Sequence, residues 1–233
     1  MNQAKFNISL NNSIDYLNKI DLFKKRGLKN IGEHSSIFKK VSRKNDHSLI
    51  YNTAIENLDW EIILKDNSIL QFSFISEHNL RYAFIQNPNL YISKTDYLRC
   101  FFDDDEVLDN LDELMSEIEE HEYEQFLLEQ GINSEAHIIR YDYDCSNNYS
   151  KLIHSSSHIH IGFSQSLRIP LRFIMSPLEF TFFIIRHTYI AYWKQSFINI
   201  PDFPKKIGDE KNLCSQIHKG FWDIIEENDT FLT

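Results

Sequence analysis

Glycine and proline are scarce, with six and five in 233 residues. That leaves no material for a long flexible linker or a glycine-rich phosphate loop, and neither a GxGxxG nor a Walker-type motif occurs. Cysteine is rarer still. Cys100, Cys145 and Cys214 are odd in number, far apart and without CxxC spacing, so they read as reduced thiols rather than a disulfide or zinc framework. No long hydrophobic run is present: the start, MNQAKFNISLNNSIDYL, has no apolar signal core, and Phe180 to Trp193 is too short and too interrupted by Arg186 and His187 to span a bilayer. Positive charge is in deficit. A formal charge of -10 argues against broad electrostatic binding to duplex nucleic acid and leaves room only for a local basic groove. Together these absences predict a cytoplasmic protein without a membrane anchor.

Large apolar side chains are abundant, with 18 Phe and 11 Tyr, which supplies a core and excludes a disordered polymer. The patterning predicts an α+β protein: a central antiparallel sheet packed with helices, an N-terminal helix and a long acidic helix. Residues 1–58 read as an N-terminal helical extension and residues 59–233 as the α+β domain, the whole forming one compact unit. Ile14, Leu17, Ile20 and Phe23 recur at helical spacing over Ser13 to Lys25, with a basic tail from Lys24 to Lys29. Strands are expected over Trp60–Leu64, Ile69–Ile75 and Arg81–Ile85, the first two joined by the turn Lys65-Asp66-Asn67-Ser68. Asp103 to Gln130 reads as one acidic helix with Gly131 at its C-cap. Its plain reading is a solvated face; the sharper one is a docking surface or nucleic-acid mimic. Ala136–Asp144 and His158–Phe163 read as two more strands. Ser176-Pro177-Leu178-Glu179 is a strong helix start, opening an almost wholly apolar helix to Trp193 that belongs in the core. A last helix is expected over Glu210 to Glu227.

The segment Arg140 to Phe173, RYDYDCSNNYSKLIHSSSHIHIGFSQSLRIPLRF, carries the chemistry. Alternation along a strand puts Arg140, Asp142 and Asp144 on one face, with Tyr141 and Tyr143 on the other; it likewise groups His158, His160 and Gly162 of the HxHxG motif. If the two strands pair, two histidines stand beside two aspartates and an arginine. Imidazole titrates near neutrality and a carboxylate orients it, which suits acid/base chemistry. Arg168 and Arg172 follow, and guanidinium forks suit phosphate. Gly162 leaves room for the close approach of a ligand or another backbone. Half-exposed strands alternate in the same way without any function, so a solvated sheet face is the rival reading. A metal held by His158 and His160, with His154 or Asp142 third, is set aside for want of a clear third and fourth ligand, so neither metal nor cofactor is expected. Glu179, Arg186, His187 and Lys194 fall along one helical stripe: Glu179 and Lys194 read as a structural ion pair, and Arg186 as a further candidate for the histidine pocket. Ser155 to Ser157 lack a GxSxG elbow, and Cys145 reads as a small strand-end residue.

The YDYD segment at Tyr141–Asp144, HSSSHIHIG at His154–Gly162, LRIP at Leu167–Pro170, SPLEFTFFIIRHTY from Ser176, and the region of Asp66, Ser68 and Phe72–Phe74 together resemble the bacterial domain-of-unknown-function family 2290. The likeness covers most of the chain beyond the first helix. That family carries no assigned activity, so the resemblance implies relatedness and leaves the chemistry to the residues. YDYD followed by a histidine-rich strand also looks distantly similar to small antiparallel-sheet ribonuclease toxins of toxin/antitoxin pairs.

The resulting expectation is a bacterial protein, toxin-like or defence-associated, acting on RNA or a nucleotide phosphodiester as a metal-independent ribonuclease or phosphodiesterase. His158 and His160 share acid/base work, Asp142 orients an imidazole, and Arg140, Arg168 or Arg186 holds phosphate. The alternative is a non-enzymatic regulator that binds a protein partner through the acidic helix 103–129.

Overall fold

The computed structural model describes residues 1–27, 33–44, 46–88, 94–133, 138–145, 149–162 and 167–229. Two units are described, residues 1–86 with 137–233, and residues 87–136. Among the described residues no helix is long and apolar enough to cross a membrane.

In the first unit, α1 (Gln3–Lys19) starts where Asn2 accepts the Lys5 backbone N–H, and buries Phe6, Leu10, Ser13 and Leu17 at helical spacing. It begins ten residues before the expected start. It also ends earlier, at a left-handed Asp21, so the basic tail is a strand, β1 (Phe23–Arg26), paired with Ile62–Leu64. Lysines on such an outer strand discourage edge-to-edge association. The helices α2 (Ser36–Val41) and α3 (His47–Glu56) follow, capped by Ser35 and Asp46. β2 (Ile62–Leu64) and β3 (Ile69–Ser76) flank the expected turn, in which Asp66 accepts from Ser68 and Asn67 takes a positive φ. After β4 (Asn79–Ile85), the chain leaves for the second unit and returns as β5 (Ile138–Asp144), β6 (Ser157–Ile161) and β7 (Arg168–Pro170). The seven strands form one antiparallel sheet in sequence order.

One sheet face carries Phe72, Tyr82, Tyr141 and Ile159 into the main core, beneath α1 and α8 (Pro177–Thr188). Tyr141 is fully buried; its hydroxyl accepts from the Ser157 hydroxyl and from Met175 N–H. α8 starts as its sequence predicts: the Ser176 hydroxyl accepts from Glu179 N–H at 3.0 Å and donates to Glu210. The expected single helix to Trp193 is two, because the chain turns at Tyr189 before α9 (Ile190–Asn199), where the Tyr189 hydroxyl donates to Asp66 at 2.6 Å. That break removes the four-residue stripe. Lys194 is exposed, and no Glu179–Lys194 ion pair forms; half-buried Glu179 faces Glu210 and Lys211 instead. The expected last helix also differs: α10 (Phe203–Leu213) ends at Cys214 because residues 215–217 run beside 172–174, with Ile174 N–H on Ser215 and Ile217 N–H on Arg172. A 3₁₀ turn (Lys219–Phe221) and α11 (Ile224–Asp229) follow.

Among the described residues of this unit, the opposite face is covered at one end. There Phe38 of α2 and Ile50, Tyr51 and Ala54 of α3 pack on Ile69, Ala83, Ile85 and Ile138. The rest of that face lines a groove among the described residues of this unit.

In the second unit, α4 (Lys94–Leu98) precedes the acidic segment, which is helical but in three pieces: α5 (Asp104–Asp109), α6 (Leu111–Glu117) and α7 (Glu120–Asn133). Carboxylates repeating at helical spacing repel, and the breaks fall at Asn110 and Ile118 within that run. α7 passes through Gly131 rather than ending there. Tyr97 contacts the rings of Phe101, Tyr123 and Phe126, while Asp105, Glu106, Asp112, Glu117 and Glu122 are exposed. Leu28 and Lys29 of the basic tail and the expected strand ends at Ala136, His137 and Phe163 lie outside the described residues.

Candidate functional site

Strand register assembles the site. Reading across β3, β4, β5 and β6, one row is Ser73, Arg81, Asp142 and His158. The next is Gln71, Ala83, Arg140 and His160, extended onto β7 by Arg168. The expected pairing of the YDYD and HxHxG strands is therefore present, with Asp142 opposite His158 and Arg140 opposite His160. Alternation then sends all of these side chains to the open face, into a groove of about 580 Å³.

His158 and His160 are almost wholly buried, 3% and 5% exposed, and this separates them from residues that merely coat a solvated sheet. His158 Nδ1 lies 2.8 Å from the Ser155 carbonyl oxygen. A carbonyl only accepts, so Nδ1 carries the proton and Nε2 of the neutral ring presents a lone pair. That Nε2 lies 3.0 Å from His160 Nε2, and His160 Nε2 lies 3.6 Å from Asp142 Oδ2. The other Asp142 oxygen faces Arg81 Nε at 3.8 Å. His154 stands edge-on to His158, ring centroids 5.0 Å apart.

Burial pushes the basicity of both rings down, against the opposing pull of Asp142. For His160 the value falls to about 4, because Arg140, and more weakly His158 and Arg168, add to the desolvation. His160 is thus neutral at pH 7, and with the His158 proton on Nδ1 the hydrogen between the two Nε2 atoms belongs to His160 and points at the His158 lone pair.

The groove contrasts in charge with the chain as a whole. It is lined by Lys39, Arg43, Lys44, Arg81, Arg140 and Arg168, against the carboxylates of Glu33, Asp142 and Asp144. Among the described residues, six cations against three anions make a local excess in a protein of formal charge -10. Arg168 Nε is buried without a partner.

Of the site residues expected from sequence, His158, His160, Asp142, Arg140 and Arg168 come together. Arg186 does not: it is exposed in the last turn of α8 and lies outside the groove lining. Gly162 also lines the groove, with φ +74° and nothing within 4 Å of an added Cβ; its glycine requirement is set by the backbone, since no close neighbour crowds it. Sequence reasoning missed the wall formed by His34, Lys39, Arg43 and Lys44. Buried Asp59 anchors that wall by accepting from Ser35 N–H and hydroxyl, and the His34 ring reaches Ser73 at 3.3 Å. The basic run Lys39-Lys40-Val41-Ser42-Arg43-Lys44, unusual in so acidic a chain, was the available signal.

A family model described as an uncharacterized conserved protein, DUF2290, matches residues 20–230. The chain belongs to the DUF2290 family. The match begins at Ile20, the C-cap of α1, and spans every strand of the sheet, so the groove lies inside the family's matched region. No curated protein and no solved structure matches the chain. The likeness to ribonuclease toxins gains no support from these comparisons.

Proposed function

We propose that this DUF2290 protein binds the phosphodiester of an RNA strand or nucleotide in the sheet groove and cleaves it there. His158, His160 and Asp142 form the reacting centre, and Arg140 and Arg168 hold the phosphate. The observation that carries this reading is the cross-strand row Arg140–His160–Arg168 inside a cation-rich groove. Two guanidiniums flanking an imidazole suit a tetrahedral oxyanion, with a nitrogen lone pair beside it.

The geometry supports one division of labour. In-line displacement places the attacking and leaving oxygens on opposite sides of phosphorus. Two Nε2 atoms only 3.0 Å apart cannot flank that axis, so the histidine pair serves the attacking oxygen as one unit. The arginines serve the phosphoryl oxygens.

The test is incubation of the purified full chain with total bacterial RNA, with fragment sizes followed over time, beside folded His158→Asn/His160→Asn and Arg168→Ala variants. Cleavage lost in the first and slowed in the second is the expected result. RNA binding should also weaken steeply with salt. No cleavage and no salt-sensitive binding by the wild-type chain would overturn the reading and move attention to the exposed acidic segment 103–129 as a protein-binding surface.

A further inference from the structure

From the juxtaposition of His158 Nε2, His160 Nε2 and an Asp142 carboxylate oxygen on the groove floor, we infer a binding site for one divalent first-row transition-metal ion. With the ion bound, the two Nε2 lone pairs are ligands and no longer bases, so the histidine pair serves the attacking oxygen through the ion; the inference rests on the reading above for that role, not for the binding.

Three observations converge. The three ligand atoms all lie within 4.8 Å of one another. The Nε2–Nε2 separation of 3.0 Å falls in the range of about 2.9–3.4 Å that two nitrogens span when each is about 2.0–2.1 Å from a shared ion at coordination angles of 90–110°. Asp142 Oδ2, at 3.6 Å from His160 Nε2, completes a third corner after a small swing of the carboxylate. Second, His158 is already oriented as a ligand: Nδ1–H donates to the Ser155 carbonyl, which fixes the tautomer and aims the Nε2 lone pair at the centre, as outer partners of metal-bound histidines do. Third, both rings are more than nine-tenths buried and project from alternate positions of one strand, with Asp142 held opposite by the ladder. Binding therefore demands little movement of the backbone, and asks His160 to give up the Nε2 hydrogen it points at His158 and carry it on its buried Nδ1 instead.

The donor set selects the ion. Two imidazoles and one carboxylate, with no thiolate, suit Zn²⁺, Co²⁺, Mn²⁺ or Fe²⁺, whereas Mg²⁺ and Ca²⁺ prefer oxygen. Among the described residues three protein ligands are supplied, which leaves positions facing the groove for water or substrate oxygen. Arg140 and Arg168 flank His160 and repel a bare cation. An anion that bridges ion and guanidiniums cancels that repulsion, so metal and phosphate bind cooperatively. Reciprocal coupling makes each tighten the other, on the order of tenfold.

The experiment titrates Co²⁺, then Zn²⁺, into chelator-treated full chain, by visible absorption for Co²⁺ and by calorimetry for both, with no nucleic acid present. One ion per chain is expected, with d–d bands of low-coordinate Co²⁺, and tighter binding when inorganic phosphate is added. His158→Asn/His160→Asn abolishes uptake, and Asp142→Asn weakens it at least tenfold. Circular dichroism confirms that each variant is folded, and His160→Gln alone serves if the double variant is not. No uptake by the wild type, or uptake unchanged in a folded histidine variant, overturns the inference. The two readings fail separately: RNA cleavage that survives exhaustive chelation removes the ion but keeps the phosphodiester, whereas metal uptake without RNA cleavage or binding does the reverse.

Discussion

Replacing Glu179 with Gln should raise stability at alkaline pH and leave it almost unchanged at pH 4.5. Glu179 sits in the first turn of α8, half-buried, with Oε2 unpartnered. Burial, reinforced by Glu210 and only partly offset by Lys211, pushes its carboxyl from 4.5 up to about 7. The folded state therefore holds this proton more tightly than the unfolded chain. Stability from this group is fully present below about pH 4.5 and falls as pH rises to about 7. A gap of about 2.5 pH units at about 1.4 kcal/mol per unit caps the loss at about 3 kcal/mol, and partial solvent access brings the working figure to about 1–3 kcal/mol. Gln fills the same volume, has no charge to desolvate, and leaves the Ser176 cap in place, because that cap uses only the backbone N–H of residue 179. Urea unfolding of the two proteins at half-unit steps from pH 4.5 to 8.5 should give curves that diverge through pH 5–7 and run parallel beyond. Parallel curves over the whole range would show that the carboxyl is not held protonated, and the account of the α8 start would fail.

Three further substitutions probe the scaffold. Gly27→Ala puts a Cβ 2.2 Å from the Trp60 carbonyl oxygen, where Gly27 N–H also binds Glu61, and should cost on the order of 2 kcal/mol in urea unfolding; an unchanged midpoint refutes the close approach. Gly162→Ala meets nothing within 4 Å but keeps φ +74°, so about 1–2 kcal/mol of backbone strain is expected with little direct obstruction of the groove, read as reduced stability beside unaltered phosphate binding. Tyr141→Phe strands Met175 N–H in the core and should cost about 1–3 kcal/mol, whereas a loss under 0.5 kcal/mol would mean the core repairs that bond with water.

The sheet was legible because its signals are local. Alternation in RYDYD and SHIHI, and the Asp66-Asn67 turn, fix strands and faces without knowledge of the rest of the chain. The two polar faces meet through an antiparallel register that their proximity in sequence made plausible. The helices were less legible, because tertiary partners decide where they stop. Residues 23–26 carry the cations of a helix C-terminus, yet pairing with Ile62–Leu64 draws them into a strand. Tyr189 continues an apolar helical run, yet a hydroxyl aimed at Asp66 lies where the chain turns. Arg186 looked buried because its sequence neighbours are apolar, but in a helix the residue beside a buried one faces away from it. The α2 wall is long-range in the same sense: Asp59, more than twenty residues from Ser35, holds it over β3.

The wall supplies a final test, because it is the part of the groove least tied to the fold. Lys39 is ion-paired with Glu33, so Arg43 and Lys44, both exposed at the groove rim, are the cations available to a backbone phosphate beyond the one held at His160. If each neutralises one phosphate of a single strand, each contributes about 0.7 to the slope of log affinity against log salt. Arg43→Gln/Lys44→Gln should flatten that slope by about 1.4 and weaken RNA binding uniformly across sequences, while Arg168→Ala lowers cleavage as well as binding. The two effects separate strand capture from phosphate positioning at the reacting centre. A slope unchanged in the double variant, measured by filter binding from low to moderate salt, would place the strand elsewhere on the sheet face and confine the ligand to something as small as a mononucleotide.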